Sequence, residues 1–357
     1  MNLPERILTN NRYHQKNVAI CPEDYDFYDP RQEPFSLHGL MVQEDGAFRR
    51  MPWEIAHRVS EKVYSLSSHT SGGRLRFVTD ASRLALQVSF ERLDARSIMS
   101  LQGSLGFDVY LEKDGKEVFY RSVLPPFDIT DGYNNSVPLP PGEKQITLYF
   151  PLYNDVKHLS VGLSRGASLK QASPYEKEKP ILFYGSSITQ GACASRPGIS
   201  YVARIARKLK SDFINLGFAG ACKGEKIMAE YLATIESSVF VLDYDHNSPN
   251  SDFLRETHYG VYRTYREKHP DTPIVLVTRP TSEPTLPAVI GRRSVVMDTY
   301  LRALAEGDEK VLFVDGFELL DDEDRMDCTV DGTHPNDYGF FRMAKTIGSA
   351  VQRALTL

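Results

Sequence analysis

The chain has 357 residues, a net charge of −5 and an isoelectric point near 6. With 41% hydrophobic and 25% charged residues, it has the make-up of a globular protein large enough for two domains. The acidic balance gives no basis for nucleic-acid binding. No apolar run approaches the length that spans a membrane.

Residues 1–15 are polar and lack the apolar core of a signal peptide, so a cytoplasmic location is expected. Four cysteines, Cys21, Cys193, Cys222 and Cys328, have no metal-type spacing and are expected to be buried free thiols.

From about residue 51 to 163 the apolar residues alternate. Leu84, Leu86, Val88 and Phe90 are one such set; Ile146, Leu148 and Phe150 another; Leu159, Val161 and Leu163 a third. Period-two alternation is the pattern of strands with one buried face. Asp114-Gly115 stands between two such runs, 107–112 and 117–121, which predicts a hairpin. Short strands separated by turn residues predict an antiparallel, jelly-roll-like sandwich. Trp53 is the single tryptophan. It is a candidate to stack on a sugar ring, against the alternative of packing; Tyr120, Tyr133 and Tyr153 pose the same choice.

Residues 171–180 are polar with two prolines and read as a linker. Domains of 1–172 and 173–357 follow. Beyond the linker, strand and helix patterns alternate. Strands are predicted at 181–184, 213–216, 239–242, 274–277 and 311–314. Helices are predicted at 198–209, 225–235, 253–268, 292–305 and 338–354. Strands separated by helices make parallel β-α-β units with both sheet faces covered.

Ligands of such sheets bind at the carboxyl ends of the strands. Ser187 follows the first strand, Gly217 ends the second, Asn247 follows the third and His334 follows the fifth. The assignment therefore brings them to one face. Ser187 is the candidate nucleophile, and a serine needs a base. The run Asp331-Gly332-Thr333-His334 supplies an imidazole and a carboxylate to orient it. The loop 279–291 lies on the same face, and its Arg279 is a candidate contact for a polar or anionic substrate group. Asp243, Asp245 and His246 offer a metal alternative, but no further ligand cluster completes a site. The run Asp321-Asp322-Glu323-Asp324 reads as a solvated acidic loop.

These blocks resemble a known family. Gly185-Ser186-Ser187-Ile188 is similar to the Gly-Asp-Ser-Leu block of the GDSL or SGNH hydrolases. Asn215-Leu216-Gly217, Asn247 and the segment from Asp331 to His334 resemble its later blocks, in the family's order. Ser186 stands where the family usually has aspartate. Gly106-Phe107-Asp108-Val109-Tyr110 resembles the Gly-x-Asp-Leu-Tyr signature of a β-rich domain that precedes some of these enzymes.

The resemblance implies a flavodoxin-like three-layer domain with five parallel strands and no cofactor. It implies a Ser187–His334–Asp331 triad, with an oxyanion hole from the N–H groups of Ser187 and Gly217 and the amide of Asn247. By analogy the substrate is a small-molecule ester, an O-acetylated carbohydrate first, with a lipid or thioester acyl hydrolase as the alternative. A sugar-binding protein without catalysis is the reading from another class, and the intact Ser, Asn, Asp and His set argues against it. A flavodoxin-like phosphate binder has no need of the remote histidine.

Overall fold

The computed structural model describes residues 20–94, 96–320 and 323–357. The polar stretch 1–15 and the first two residues of the acidic run 321–324 lie outside the described residues.

The first half is an antiparallel sandwich. One sheet runs Tyr25–Tyr28, His158–Ser164, Arg83–Ser89, Gly132–Pro138 in spatial order. The other runs Leu169–Lys170, Arg74–Thr79, Lys144–Tyr149, Phe107–Lys113, Lys116–Val123, with Ser36–His38 also paired to Arg74–Thr79. The alternating residues meet between them: Leu84, Leu86, Val161 and Leu163 from one sheet pack with Phe77, Val109, Ile146 and Leu148 from the other. The hairpin turns at Asp114 and Gly115, both in the left-handed region (φ 51° and 67°), the geometry that twists with its strands.

Part of this half departs from the all-strand expectation. Trp53–Val59 and Glu61–Ser67 are helices, the second capped by Ser60, whose Oγ accepts from the Val63 N–H at 3.1 Å.

The second half has five parallel strands: Lys177–Gly185, Ser211–Gly217, Val239–Asp243, Ile274–Val277 and Val311–Val314. Their spatial order is 2-1-3-4-5, the flavodoxin-like arrangement. The first strand starts inside the expected linker. Its register breaks between Lys177 and Ile181, where Pro180 has no N–H to offer the ladder. Helices Tyr201–Lys208, Lys226–Leu232, Ser251–Lys268, Pro287–Ala305 and Asp337–Ala354 connect and cover the sheet. The loop after the fourth strand is shorter than expected, because Pro287 opens the helix that follows, where a missing N–H costs nothing.

The two halves share one core. Met51, Val63, Leu66, Tyr110, Tyr149 and Tyr153 from the first half pack in the same cluster as Ile181, Phe183 and Phe218 from the second. Cys193 and Cys222 are buried free thiols and Cys328 is buried as well; Cys21, by contrast, is exposed. Among the described residues, no helix is long and apolar enough to cross a membrane.

Candidate active site

Ser187 begins a one-turn helix, Ser187–Gln190, at the end of the first parallel strand. Ser186 caps that turn by accepting from the Ile188 N–H at 3.2 Å. An aspartate would cap equally well, so the unusual residue keeps the local job. The Ser187 carbonyl accepts from the Tyr153 hydroxyl at 3.1 Å. Tyr153 is therefore a buried support rather than a sugar platform, and Tyr133 is likewise buried, donating to the Leu105 carbonyl at 2.9 Å.

Gln190 ties this turn to its surroundings. Its Oε1 accepts from the Ala219 N–H at 3.0 Å, and its Nε2 lies 3.1 Å from His69 Nδ1. Burial, and next the charge of Arg50, push His69 down to about 3, so its imidazole is neutral and free to accept from the amide.

His334 Nε2 lies 3.0 Å from Ser187 Oγ, and His334 Nδ1 lies 2.8 Å from Asp331 Oδ2. Asp331 Oδ1 accepts from the N–H groups of Thr333 (3.0 Å) and His334 (2.8 Å). Partial burial raises the Asp331 pKa, but the bonds from His334 and Thr333 outweigh it and hold the carboxyl below its ordinary value. Asp331 is thus an anion at neutral pH. It fixes the Nδ1–H tautomer and leaves Nε2 to accept the serine proton. Asn336 begins the last helix by accepting from the Tyr338 and Gly339 N–H groups.

The predicted oxyanion donors divide. Asn247 ends a short turn, Asp245–Asn247, after the third strand. Its side chain makes no hydrogen bond among the described residues, and its Oδ1 is buried. The Ser187 N–H, first in its helix, also has no intrahelical partner. Gly217 is corrected: its N–H donates to Asn215 Oδ1 at 2.9 Å. It is buried, and a Cβ there would stand 2.3 Å from the Gln190 N. Gly217 is therefore a packing glycine. Three residues on, Gly220 is exposed with φ +65°, and no described residue accepts from its N–H. The sequence signal was available, since a second glycine follows in the same loop.

Asp243 and Asp245 of the metal alternative would share a side only if the third strand ran on through Asp245. That strand ends at Asp243. Asp243 Oδ2 accepts from the Tyr201 hydroxyl at 2.8 Å and the Thr189 hydroxyl at 3.1 Å. Asp245 instead accepts from the Arg279 N–H at 3.1 Å. Burial and the neighbouring Asp245 push Asp243 up to about 8; burial also pushes Asp245 up to about 6. The two carboxyls serve separate bonds. Among the described residues, no three metal-binding side chains gather.

Trp53 is 45% exposed on the helix that starts three residues after Arg50. Lys62, on the next helix, reaches the Gly220 carbonyl at 3.4 Å. Cys193 lies near enough for the charge of Asp331, after burial, to raise its thiol, to about 12. Arg279 lies two residues after the fourth strand, its backbone N–H beside Asp245.

A Ser–His–Asp chain at the carboxyl ends of a 2-1-3-4-5 parallel sheet is the arrangement of a hydrolytic α/β enzyme. Residues 178–352 match the GDSL-like Lipase/Acylhydrolase family, and residues 25–169 match GxDLY, the N-terminus of SGNH-hydrolase-type esterases. The catalytic half belongs to the GDSL-like lipase/acylhydrolase family, and the chain is a carboxylic ester hydrolase. No curated protein matches it.

Among solved structures, a candidate GDSL-like lipase from Bacteroides ovatus is 28% identical, with a TM-score of 0.84 over 93% of this chain and 98% of that one. The salicylyl-acyltransferase SsfX3 of a tetracycline biosynthetic pathway is 24% identical, with a TM-score of 0.76 over 92% and 98%. A family two carbohydrate esterase from Clostridium thermocellum, in complex with cellohexaose, is 18% identical, with a TM-score of 0.57 over 81% and 94%. The last two share the fold.

Proposed function

We propose that the protein is a serine esterase that removes small acyl groups, acetyl first, from carbohydrate, with residues 173–357 as the hydrolase domain and 1–172 as its sandwich accessory. The observation that carries the catalytic reading is the chain of short contacts from Ser187 Oγ through the His334 imidazole to Asp331. Ser187 Oγ attacks the ester carbonyl carbon while His334 Nε2 takes its proton. The carbonyl oxygen becomes an oxyanion and meets the Ser187 N–H and the Asn247 amide; the exposed N–H of Gly220 is the third donor. His334 then gives its proton to the departing sugar oxygen. Water, deprotonated by His334, attacks the acyl carbon; the bond to Ser187 Oγ breaks as His334 returns the proton to it, and the carboxylic acid leaves.

The substrate reading rests on resemblance to carbohydrate esterases and on Trp53, whose exposed ring offers a face for a sugar. The test is turnover of p-nitrophenyl esters of increasing acyl length by wild type and Ser187→Ala, then of acetylated xylo- and cello-oligosaccharides. Acetyl turnover lost in the variant supports the reading. A preference for long chains would favour a lipid acyl hydrolase. Sugar binding with no turnover would favour a binding protein. Because a transferase shares the fold, the assay includes an acceptor alcohol: an acyl-enzyme that prefers alcohol to water would be a transferase.

A further inference from the structure

Polar atoms on the catalytic face are enclosed without partners. His246 Nδ1, Asn247 Oδ1, Arg279 Nε and Arg292 Nε are all buried and make no hydrogen bond among the described residues. Asn247 is accounted for by the oxyanion. Arg292 is a brace, because its other nitrogens donate to the carbonyls of Ser248 (2.9 Å), Pro249 (3.0 Å) and Ala288 (3.0 Å). His246 and Arg279 remain.

Arg279 is unusual among the arginines of this half. It meets Asp245 through its backbone N–H, not its guanidinium. The guanidinium makes no hydrogen bond or ion pair with any described residue, although the side chain is half-buried. Burial works against its charge, the attraction of Asp245 only partly offsets this, and Arg292 adds repulsion. One donor of the rigid fork, the Nε–H, is enclosed with nothing to hold, and the four on its two terminal nitrogens are open to solvent with no acceptor among the described residues.

Its place is the wall of the active site. Three residues later, the Ser282 hydroxyl donates to the Gly332 carbonyl at 2.6 Å, between Asp331 and His334. His246 follows Asp245, which holds the Arg279 N–H, and it is close enough to feel the charges of Arg279, His334 and Asp331. Burial first, then Arg279, push its imidazole down to about 3, so it stays neutral and one ring nitrogen is a donor. A fixed cation beside a neutral imidazole suits a planar anion.

We propose that Arg279, with His246 beside it, forms a subsite for a carboxylate carried by the substrate, so that the preferred esters are acidic. This rests on the esterase reading. The carboxylate can come from two sources: the acyl part, as in a half-ester of a dicarboxylic acid, or the sugar, as in an acetylated uronic acid. Bidentate pairing to a carboxylate is what a guanidinium does and an ammonium does less well.

The test is steady-state kinetics on matched pairs: p-nitrophenyl acetate against mono-p-nitrophenyl succinate and glutarate, and acetylated galacturonic acid against its methyl ester. Wild type, Arg279→Gln and Arg279→Lys are compared after melting curves confirm folding. Wild type is expected to favour the carboxylate member of one pair. In Arg279→Gln the ratio of kcat/KM between carboxylate and neutral members falls about 10- to 100-fold, mainly through KM, the size of a lost charge-assisted bond. Lysine restores part of it. The pair that responds identifies the source. No preference in wild type, or an equal loss on both members, overturns the proposal while leaving the esterase reading in place. Calorimetry of glutarate and galacturonate with Ser187→Ala gives a readout that needs no turnover. If neither binds, the subsite is wrong even if no ester is cleaved; if Arg279→Gln abolishes binding, it stands even should the esterase reading fail.

Discussion

Ser187 Oγ and His334 Nε2 lie 3.0 Å apart across 147 residues of chain. The contact joins the end of the first parallel strand to the loop after the fifth. Ser187→Ala is expected to lower kcat on p-nitrophenyl acetate by at least ~10⁴-fold, with no change in melting temperature beyond a few degrees. His334→Ala should match it, and the double variant should be no worse than either, because the pair acts as a unit. Additive losses would show that the two residues do not share a step.

Asn247→Ala tests the oxyanion role. The Asn247 side chain has no partner among the described residues, so truncation removes no bond seen there. The expected result is a fall in kcat of roughly 10²- to 10³-fold with KM and stability nearly unchanged. A loss confined to stability would assign Asn247 to the scaffold.

The two glycines after the second strand should differ in what their substitution does to activity. Gly217→Ala places a methyl 2.3 Å from the Gln190 backbone and is expected to destabilise by about 1–3 kcal/mol. Gly220→Ala, at an exposed site with φ +65°, strains the backbone by about 1 kcal/mol but should in addition lower kcat. Melting curves and initial rates on both variants separate packing from chemistry.

The buried Asp243 gives a pH signature in stability. Its folded pKa of about 8 is above the ordinary aspartate value, so the folded state holds a proton that the unfolded state has lost. Stability from this group is full below about pH 4 and falls as pH rises to about 8, by at most ~1.4 kcal/mol per pH unit. Asparagine imitates the protonated acid and can accept from Tyr201 and Thr189 in the same way. Asp243→Asn should flatten melting temperature against pH over that range. An unchanged slope would place the titration elsewhere.

The parallel sheet was legible because its strands, such as Ile274–Val277, are unbroken apolar runs whose ends carry the polar residues. The meeting of Ser187 and His334 was legible for the same reason: strand order alone brings them to one face. The helices Trp53–Val59 and Glu61–Ser67 were not, because neighbouring alternation drowned a short 3.6 period. Gly217 was misjudged because residue type does not reveal which N–H is already spent; that depends on Asn215 turning back on it. Arg50 was invisible: an arginine in sequence gives no sign that it will be buried.

Arg50 has a consequence for inheritance. From the first half, its guanidinium donates to the carbonyls of Leu66 (2.6 Å), Asn215 (3.2 Å) and Gly217 (2.5 Å), and lies 4.5 Å from the Phe218 ring. A crossover that exchanged this sandwich for one without an equivalent cation would strand the carbonyls beneath the second strand's catalytic loop in an apolar setting. The sandwich is therefore not a detachable accessory that the sheet could shed or trade. In a library of shuffled sandwiches, active progeny should come only from donors that retain a cation at this position.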